Sequence, residues 1–556
     1  MNCSDKWVVQ MLVDQCKAHG VRHWVFSPGS RNAPFAITVD ADPFFKTTVI
    51  HDERSAAFFA LGMAEKMKDP VALCCTSGSA PANYIPAVTE AFYRSIPLLI
   101  VTADRPSAWT DQGDGQTIRQ KQLFTEFTHR SLHIEDQVER EDLKWFYQRE
   151  SAFLFQQLFN NGPVHVNVGL REPLYQSIEK TCDYSRKILL HNTTKPSEKS
   201  IQHLASNLEN NKIMVLCGQI NNNHKLLYAL GRFAESNNVV VLTENTSNLP
   251  SERFNSCIDR SLNGIPKERL SDYEPDYVIS IGGAIVSKRI KSFLRNTRLK
   301  GHIKVGLEFP EMDTYQQLTE SFACEPHLFL ERLNESMSIN TESTYYSLWK
   351  QIDFMAKDRM LEFKPKASSL TDMHVYQAFF NLIPEGSPIH MANSSVIRYC
   401  QLFDLIKGCE YYGNRGTSGI DGSMSTAMGF ASQDHRTNYL IIGDVSFYYE
   451  LNALGLKAQV PNLKILLINN QGGNIFSIIE GAKSASVREK YLEAKHQKNG
   501  EIAGLLGWRY KKVEDITNLE AAMQRFIYTA EIDCLEISTN PEVSPRTLTD
   551  FFTFVS

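Results

Sequence analysis

Short apolar runs alternate with segments of helical periodicity along most of this chain. Runs of roughly four to eight residues rich in Val, Ile and Leu are typical of buried strands, whereas apolar residues three or four positions apart are typical of helices. The runs predict strands at residues 24–27, 47–50, 71–76, 98–102, 164–168, 213–217, 239–242, 277–281, 302–306, 389–391, 439–442, 464–468 and 534–537. Because strands that alternate with helices wind into parallel sheets, the pattern predicts an α/β fold.

Polar segments divide the predicted strands into three groups. One segment covers residues 191–199, a second covers 336–344, and a linker at 364–369 follows the second. At roughly 150 residues per domain, a chain of 556 residues accommodates three to four domains. We therefore predict three doubly wound parallel-sheet domains, at residues 1–185, 195–340 and 365–556.

Composition and charge exclude several classes of protein. Hydrophobic residues make up 42% of the chain and charged residues 22%, which is typical of a globular protein and excludes wholesale disorder. The net charge of −5 excludes an electrostatic nucleic-acid footprint. The eleven cysteines include no C-x-x-C pair, so neither a zinc site nor a disulfide framework is indicated. The first residues are helical rather than signal-like in pattern, and no apolar run has the roughly 20 residues of a membrane span, so we expect a cytoplasmic protein.

Polar residues follow two neighbouring strands of the third group. Asp444 comes after the strand at 439–442, and Asn470 and Gly472 come after the strand at 464–468. Because the carboxyl ends of neighbouring parallel strands meet at one sheet edge, a carboxylate, an amide oxygen and a turn carbonyl converge there. Such oxygens suit Mg²⁺, which completes its shell with phosphate and water. The alternative is that Asp444 and Asn470 only cap helices and that the glycines only turn the chain.

Glu53 lies in the turn between the strand at 47–50 and a following Ala-rich helix. A strand-to-helix turn can open into a cleft, so Glu53 is a candidate functional carboxylate. The alternative is structural, because the helix macrodipole favours an acidic residue in the first turn of any helix.

Two small-residue loops follow strands of the first group. They cover residues 27–31, which include Ser30, and residues 76–80, which include Ser77 and Gly78. Backbone N–H groups and hydroxyls in such loops suit anionic or polar ligands. Ordinary tight turns with a helix cap have the same composition.

Six arginines lie in or beside candidate ligand loops in all three groups of strands. A guanidinium binds a carboxylate through two parallel hydrogen bonds, so the set favours a polyanionic substrate, although any one of them can be an ordinary surface residue. The six are Arg31, Arg105, Arg119, Arg289, Arg398 and Arg415.

Several motifs resemble those of one enzyme family. Residues 443–470, from Gly-Asp to Asn-Asn, resemble the motif with which thiamine diphosphate enzymes hold the metal on the cofactor's diphosphate, and Glu53 falls where that superfamily has its activating glutamate. More narrowly, PGSR at 28–31, TADRP at 102–106, QTIRQ at 116–120, NRGTSGIDG at 414–422 and NNQGGNIFS at 469–477 resemble the 2-succinyl-5-enolpyruvyl-6-hydroxy-3-cyclohexene-1-carboxylate synthases of menaquinone biosynthesis. The motifs run in the expected order from the first domain to the last.

The resemblance implies a fold and an assembly. The three domains are then pyrimidine-binding, central and diphosphate-binding domains of the thiamine diphosphate-dependent decarboxylase type. The family forms homodimers or homotetramers whose active sites are shared between two subunits, so that Glu53 of one chain meets Asp444 and Asn470 of another. One departure is Val445, because the superfamily motif usually has Gly after the Asp; this family tolerates an apolar residue there.

The resemblance also implies roles for individual residues. Thiamine diphosphate would be bound by Glu53, Ser77, Gly78, Ile420, Gly443, Asp444, Val445, Ser446, Asn470, Gly472, Gly473, Ile475 and Phe476, with Mg²⁺ or Mn²⁺ on Asp444, Asn470 and Gly472. The substrates would be bound by Ser30, Arg31, Arg105, Gln116, Lys288, Arg289, Ser394, Arg398 and Arg415. The catalytic set would be Glu53, Gln116, Ser394, Arg398 and Arg415. Ile420 would wedge the cofactor into its bent form; a core isoleucine is the alternative.

The implied activity is that of a transferase that decarboxylates 2-oxoglutarate and adds the four-carbon remainder to isochorismate. Both substrates are dianions, in agreement with the arginines. Two other interpretations stay open. A different thiamine diphosphate decarboxylase or carboligase, acting on pyruvate for example, has no need of Arg31, Arg398 and Arg415. A non-catalytic paralogue that binds diphosphates has no need of an intact Glu53.

Overall fold

The computed structural model describes residues 2–180, 182–188, 195–366, 368–493 and 500–556. The predicted polar segment at 191–199 and the linker at 364–369 therefore lie partly outside the described residues. The chain divides into two compact units. The first consists of the described residues up to 188 with 416–437 and 449–463; the second consists of the described residues from 195 to 415 with 438–448 and from 464 onward.

The segment up to residue 188 contains eight strands and six α-helices among its described residues. The strands are β1 (Asn2–Ser4), β2 (His23–Phe26), β3 (Lys46–Val49), β4 (Val71–Cys75), β5 (Leu98–Asp104), β6 (Ser131–Glu135), β7 (Val164–Gly169) and β8 (Ser177–Glu179). The helices are α1 (Trp7–His19), α2 (Ala33–Asp40), α3 (Glu53–Met67), α4 (Ala80–Asn83), α5 (Ile85–Tyr93) and α6 (Glu141–Asn160). Strands β2 to β7 form a six-stranded parallel sheet in the order β3-β2-β4-β5-β7-β6, and β1 pairs with β8.

The described part of residues 195–366 forms a second sheet, of five parallel strands in the order β10-β9-β11-β12-β13. The strands are β9 (Ile213–Cys217), β10 (Val239–Thr243), β11 (Tyr277–Ile281), β12 (Gly301–Val305) and β13 (Leu318–Phe322). The helices are α7 (Glu198–Leu208), α8 (His224–Phe233), α9 (Ile258–Asn263), α10 (Lys288–Asn296), α11 (Pro326–Ser336) and α12 (Tyr345–Glu362).

The described residues after 367 contain a third sheet, of six strands in the order β15-β14-β16-β17-β19-β18. The strands are β14 (Pro388–Met391), β15 (Glu410–Tyr412), β16 (Asn438–Gly443), β17 (Leu463–Asn469), β18 (Tyr510–Val513) and β19 (Cys534–Ser538). The helices are α13 (Asp372–Leu382), α14 (Ser395–Cys400), α15 (Ser423–Ala431), α16 (Asp444–Tyr449), α17 (Glu480–Lys483), α18 (Ile502–Leu505), α19 (Ile516–Tyr528) and α20 (Val543–Val555).

Three parallel sheets flanked by helices confirm the predicted α/β fold class. Every predicted strand is present, and no end is displaced by more than two residues. The described strands that the pattern missed are the β1–β8 pair and four strands at sheet edges: β6, β13, β15 and β18. The three domain boundaries stay a prediction.

Within the first unit, α3 and α15 cross at a distance that only glycine permits. A Cβ atom at Gly62 would lie 2.0 Å from the Thr426 carbonyl oxygen, and one at Gly429 would lie 1.9 Å from the Phe59 carbonyl oxygen. Because real Cβ atoms do not approach backbone this closely, the two glycines set the spacing of the helices. The crossing supports α3, the helix that begins at Glu53.

Candidate active site

The predicted metal ligands lie in the second unit, at the ends of neighbouring strands. Asp444 follows the last residue of β16, and Asn470 follows the last residue of β17. Asp444 is 3% exposed and Asn470 is 5% exposed. Asp444 Oδ1 accepts a hydrogen bond from the Val445 N–H at 2.8 Å. The strand order therefore brings a buried carboxylate and a buried amide to one edge of the third sheet.

Asp372 orients the Asn470 amide. Asn470 Nδ2 donates to Asp372 Oδ2 at 3.1 Å, and Asp372 Oδ1 accepts from Thr539 Oγ1 at 2.5 Å. Burial raises the pKa of Asp372, while these donors and Ser544 lower it. Because the nitrogen of the Asn470 amide is engaged by Asp372, its oxygen is the atom left for a cation. Sequence reasoning missed Asp372, since it lies 98 residues away along the chain.

The turn after β17 adopts backbone conformations that favour glycine. Gln471 has φ +63°, Gly472 has φ +143°, and a Cβ at Gly473 would lie 3.0 Å from the Phe476 ring. The Gly472 carbonyl accepts from the Asn474 N–H at 2.7 Å, which leaves one of its two lone pairs. Ile475 is buried. A cavity of about 830 Å³ opens beside Asn470 and Gly472, and Lys483, Arg488 and Arg546 are among its lining residues.

These residues fit a metal-bound diphosphate. Mg²⁺ takes one or two carboxylates and completes its octahedron with substrate phosphate oxygens and water, rather than with a cage of protein ligands. Asp444, the Asn470 amide oxygen and the Gly472 carbonyl supply such a partial set. Among the described residues no group of three His, Cys, Asp or Glu side chains forms a self-sufficient metal cage. Gly443 ends β16, and the buried Ser446 lies in the first turn of α16, with Val445 beside it.

Glu53 lies in the first unit, where it is the first residue of α3. The helix cap is Asp52, whose Oδ1 accepts from the Ser55 N–H at 3.1 Å. In the part of the chain that the structure describes, no hydrogen bond or ion pair engages the Glu53 carboxylate. Glu53 is half-buried and lines a cleft of about 650 Å³ with His51 and Asn83. Asp52 rather than Glu53 therefore caps the helix, and the first-turn position of Glu53 agrees with the macrodipole alternative as well as with a functional carboxylate.

The two small-residue loops of the first unit pack against each other at the ends of β2 and β4. The Arg31 N–H donates to Thr76 Oγ1 at 3.2 Å, and a Cβ at Gly29 would lie 2.3 Å from the Thr76 Cβ. Ser77 is buried, whereas Ser30 is exposed. Gly78 has φ +87°. The loops thus form one continuous surface at the carboxyl edge of the first sheet.

Gln120 holds the second of these loops and was not singled out from the sequence. Its Oε1 accepts from the Gly78 N–H at 3.3 Å, and its Nε2 donates to Asn167 Oδ1 at 2.8 Å. Asn167 Nδ2 in turn donates to Asp104 Oδ2 at 2.9 Å. Gln116, the predicted residue of the same motif, is exposed and has φ +55°. The motif therefore contains one exposed and one buried glutamine beside Gly78.

The three arginines of the first unit differ in exposure. Arg31 is buried and donates to the Leu170 carbonyl at 3.1 Å. Arg105 forms an ion pair with Asp114 at 3.0 Å. Arg119 pairs with Asp111 and is 84% exposed, as an ordinary surface residue is.

The three arginines of the second unit also differ. Arg415 is buried and donates to Asn393 Oδ1 at 2.8 Å. Arg398 is half-buried on α14, which begins after Ser394. Arg289 is exposed with Lys288 at the start of α10, where it donates to Asn263 and lies 4.1 Å from the Phe552 ring centroid. Ser394 has φ +72°, a strained conformation that clusters at functional sites.

Hydrophobic residues predicted to contact the cofactor lie in both units. Ile420 belongs to the first unit and lies in the loop before α15, where it is half-buried rather than part of a core. Phe476 is likewise half-buried.

Among the described residues, no helix is both long and apolar enough to cross a membrane.

Known proteins support the motif-based resemblance. Residues 6–123 match the model of the thiamine pyrophosphate enzyme N-terminal TPP binding domain. A relative from Flavobacterium johnsoniae is 38% identical over 93% of this chain and 93% of its own length, and one from Flavobacterium psychrophilum is 37% identical over 98% of each. One from Bacteroides thetaiotaomicron is 34% identical over 99% of each. All three are named 2-succinyl-5-enolpyruvyl-6-hydroxy-3-cyclohexene-1-carboxylate synthase.

Proposed function

This chain belongs to the family of 2-succinyl-5-enolpyruvyl-6-hydroxy-3-cyclohexene-1-carboxylate synthases, and from that premise we propose the reaction that it catalyses. It is a thiamine diphosphate-dependent transferase, as its motifs predict. The proposed reaction consumes 2-oxoglutarate and isochorismate, releases carbon dioxide and joins the succinyl-type remainder to the isochorismate ring. It serves menaquinone biosynthesis.

One observation carries the cofactor assignment: the buried Asp444 and Asn470 lie at neighbouring strand ends, with the Asn470 amide turned by Asp372. We propose that Asp444, Asn470 and the Gly472 carbonyl hold Mg²⁺ or Mn²⁺ on the diphosphate. Gly443, Val445, Ser446 and Gly473 are proposed to line the diphosphate. Ser77, Gly78, Ile420, Ile475 and Phe476 are proposed to contact the rest of the cofactor.

When bound, thiamine diphosphate supplies the nucleophilic carbon and the electron sink that decarboxylation of a 2-oxo acid requires. The proposed role of Glu53 is to hydrogen-bond a ring nitrogen of the aminopyrimidine and to hold a proton there. That its carboxylate makes no hydrogen bond or ion pair with the described residues supports this role.

The charged and polar side chains are proposed to bind the two dianionic substrates. Ser394, Arg398 and Arg415 would hold the 2-oxoglutarate-derived portion, because guanidinium groups bind carboxylates in a bidentate manner. Arg31, Arg105, Gln116, Lys288 and Arg289 would hold the isochorismate carboxylates and hydroxyls, with Ser30 placing the acceptor. Arg289 must leave Asn263 and Phe552 to do so.

The assembly proposed for this chain is a homodimer or homotetramer in the cytoplasm. Its active sites would lie between subunits, with Glu53 of one chain serving Asp444 and Asn470 of another. Sedimentation of the purified protein with and without cofactor measures the oligomeric state, and a fully active monomer would contradict this arrangement.

The test of the reaction combines purified protein, thiamine diphosphate, Mg²⁺, 2-oxoglutarate and isochorismate. We expect isochorismate absorbance to disappear only when every component is present, and a product whose mass equals both substrates minus carbon dioxide. Omission of each component in turn and the Asp444→Ala variant are the controls. Consumption of pyruvate with isochorismate left intact would replace this proposal with a pyruvate-type carboligase.

A further inference from the structure

The loop at residues 416–422 has no regular secondary structure of its own. It directly precedes α15 and contains Ile420. Ser418 has φ +63° and Gly422 has φ +76°, so the loop includes left-handed backbone at a non-glycine residue. Such conformations are costly and persist only when surrounding groups impose them. The groups that hold the two ends of the loop come from distant parts of the chain.

Glu90, on α5, holds the first end of the loop. Its Oε1 accepts from the Gly416 N–H at 2.9 Å, and its Oε2 accepts from the Thr417 N–H at 2.7 Å and from Thr417 Oγ1 at 2.8 Å. The Glu90 side chain is 1% exposed and lies 3.8 Å from Arg94 Nε. A buried carboxylate is costly unless donors surround it, and here all three donors belong to Gly416 and Thr417, the first two residues of the loop.

Glu450 holds the residues just after the loop. Its Oε2 accepts from the Met424 N–H at 2.6 Å, and its Oε1 accepts from Ser425 Oγ at 2.7 Å. Glu450 is also 1% exposed. Between these contacts, Gly422 packs so closely on α3 that a Cβ there would lie 2.2 Å from the Phe58 ring. The loop is therefore fixed at both ends by buried carboxylates.

We propose that Glu90 and Glu450 are positioning residues that keep the loop at 416–422, and with it Ile420, in the conformation that binds the cofactor. The inference rests on the proposed function of Ile420 and deepens it. Neither glutamate needs to touch the cofactor or a substrate. Their carboxylates act through backbone N–H groups, which an amide side chain cannot replace at both oxygens because its nitrogen donates rather than accepts.

The test compares Glu90→Gln with a matched control in the same unit. Asp14, on α1, is also a buried carboxylate that accepts from a backbone N–H, that of Tyr184, at 2.9 Å, so Asp14→Asn loses a comparable contact elsewhere. The readouts are amide hydrogen exchange of peptides that cover 416–422 and the Kd of thiamine diphosphate with Mg²⁺ from titration calorimetry.

We expect Glu90→Gln to speed loop exchange and to weaken cofactor binding, each by about tenfold, because hydrogen bonds to a charged group are stronger than those to a neutral one. Asp14→Asn should change neither. Unchanged exchange and Kd in Glu90→Gln, or equal changes in Asp14→Asn, would overturn the proposal.

A milder pair of variants covers the case in which Glu90→Gln does not fold. Thr417→Val removes only the hydroxyl donor, and we expect roughly two- to fivefold changes in the same two readouts. Thr417→Ser retains the hydroxyl and should restore both; failure to restore them contradicts the positioning role. Absence of product from the wild-type enzyme would sink the proposed reaction, whereas exchange and cofactor Kd would still decide the role of Glu90.

Discussion

The Asp444–Asn470 region and the Glu53 region both lie at the carboxyl ends of strands, but they are built differently. Asp444 and Asn470 are buried, and Asn470 is oriented by Asp372, which Thr539 and Ser544 hold in turn. Glu53 lines an open cleft, with no hydrogen bond or ion pair from the described residues. Side chains of the same chain therefore orient the proposed metal ligand Asn470. The Glu53 carboxylate, which no described residue binds, is available to a ligand or to another subunit.

The largest expected effect is on turnover, from Glu53→Gln. The change keeps the shape of the side chain but removes its proton-holding carboxylate, so kcat should fall about 10³-fold. The Kd of thiamine diphosphate should change little, because the proposed diphosphate and metal contacts lie elsewhere. Steady-state kinetics and calorimetry measure the two quantities, and full activity would remove Glu53 from the mechanism.

Asp444→Ala should mainly weaken cofactor binding, in contrast to Glu53→Gln, which should mainly lower kcat. Loss of a proposed metal ligand should weaken Mg²⁺-dependent cofactor binding by more than about 100-fold, since even the residues that orient ligands account for 10- to 100-fold.

Asp372→Asn, which can no longer accept at both oxygens, should weaken Mg²⁺-dependent cofactor binding by about 10- to 100-fold. If Asp372→Asn binds the cofactor normally, the Asn470 amide does not depend on Asp372 and the contrast with Glu53 is lost.

Gly62→Ala tests the support of Glu53. The added methyl group would meet the Thr426 carbonyl, so the free energy of unfolding should fall by about 1–3 kcal/mol. Gly231→Ala is the control, because Gly231 lies in α8 and no described residue beyond its chain neighbours and its own helix backbone comes within 4 Å of its Cβ position, so alanine there should stabilise by about 0.5–1 kcal/mol. Urea denaturation measures both, and equal stability of the two variants would mean that the helices can separate freely.

The smallest expected effect is the contribution of single buried carboxylates to the pH dependence of stability. Each unit contains such a carboxylate with a pKa of about 7, Glu450 in the first and Glu244 in the second. Burial raises the two pKa values, and backbone hydrogen bonds offset part of that increase. Each of these two carboxylates then binds more protons in the folded than in the unfolded protein between about pH 4.5 and 7. The contribution of each carboxylate to stability should therefore fall as pH rises through that window, by about 1–3 kcal/mol, whereas the lowered pKa values of the buried His165 and His302 act in the opposite direction.

Denaturation at pH 5 and pH 7.5 checks the direction of this change. Glu244→Gln should flatten the profile by removing one of the two titrations, because glutamine carries no titrating proton. A Glu244→Gln profile that runs parallel to the wild-type profile between pH 5 and pH 7.5 would contradict the raised pKa of Glu244.

Exposure explains which strands could be predicted. The interior strands have buried residues at nearly every position, as in β5 and β17, and so appear as apolar runs. The missed edge strands β13 and β18 alternate or expose most of their residues, and their runs are correspondingly polar. The pattern does predict two edge strands, β10, which is fully buried, and β3, which is mostly exposed, so an edge strand is distinguished from a loop only where its sequence is apolar or β-branched.

The sequence by itself determined the α/β class, the interior strands, the family and the positions of Glu53, Asp444 and Asn470, because each depends on a local run or on a motif contiguous in the chain. Only the tertiary structure decided which residues hold Asn470 and the loop at 416–422. Asp372 reaches Asn470 across 98 residues, and Glu90 reaches Thr417 across 327. The physical reason is that a hydrogen bond between distant segments leaves no periodicity or spacing in either one; it exists only once the strands and helices have packed.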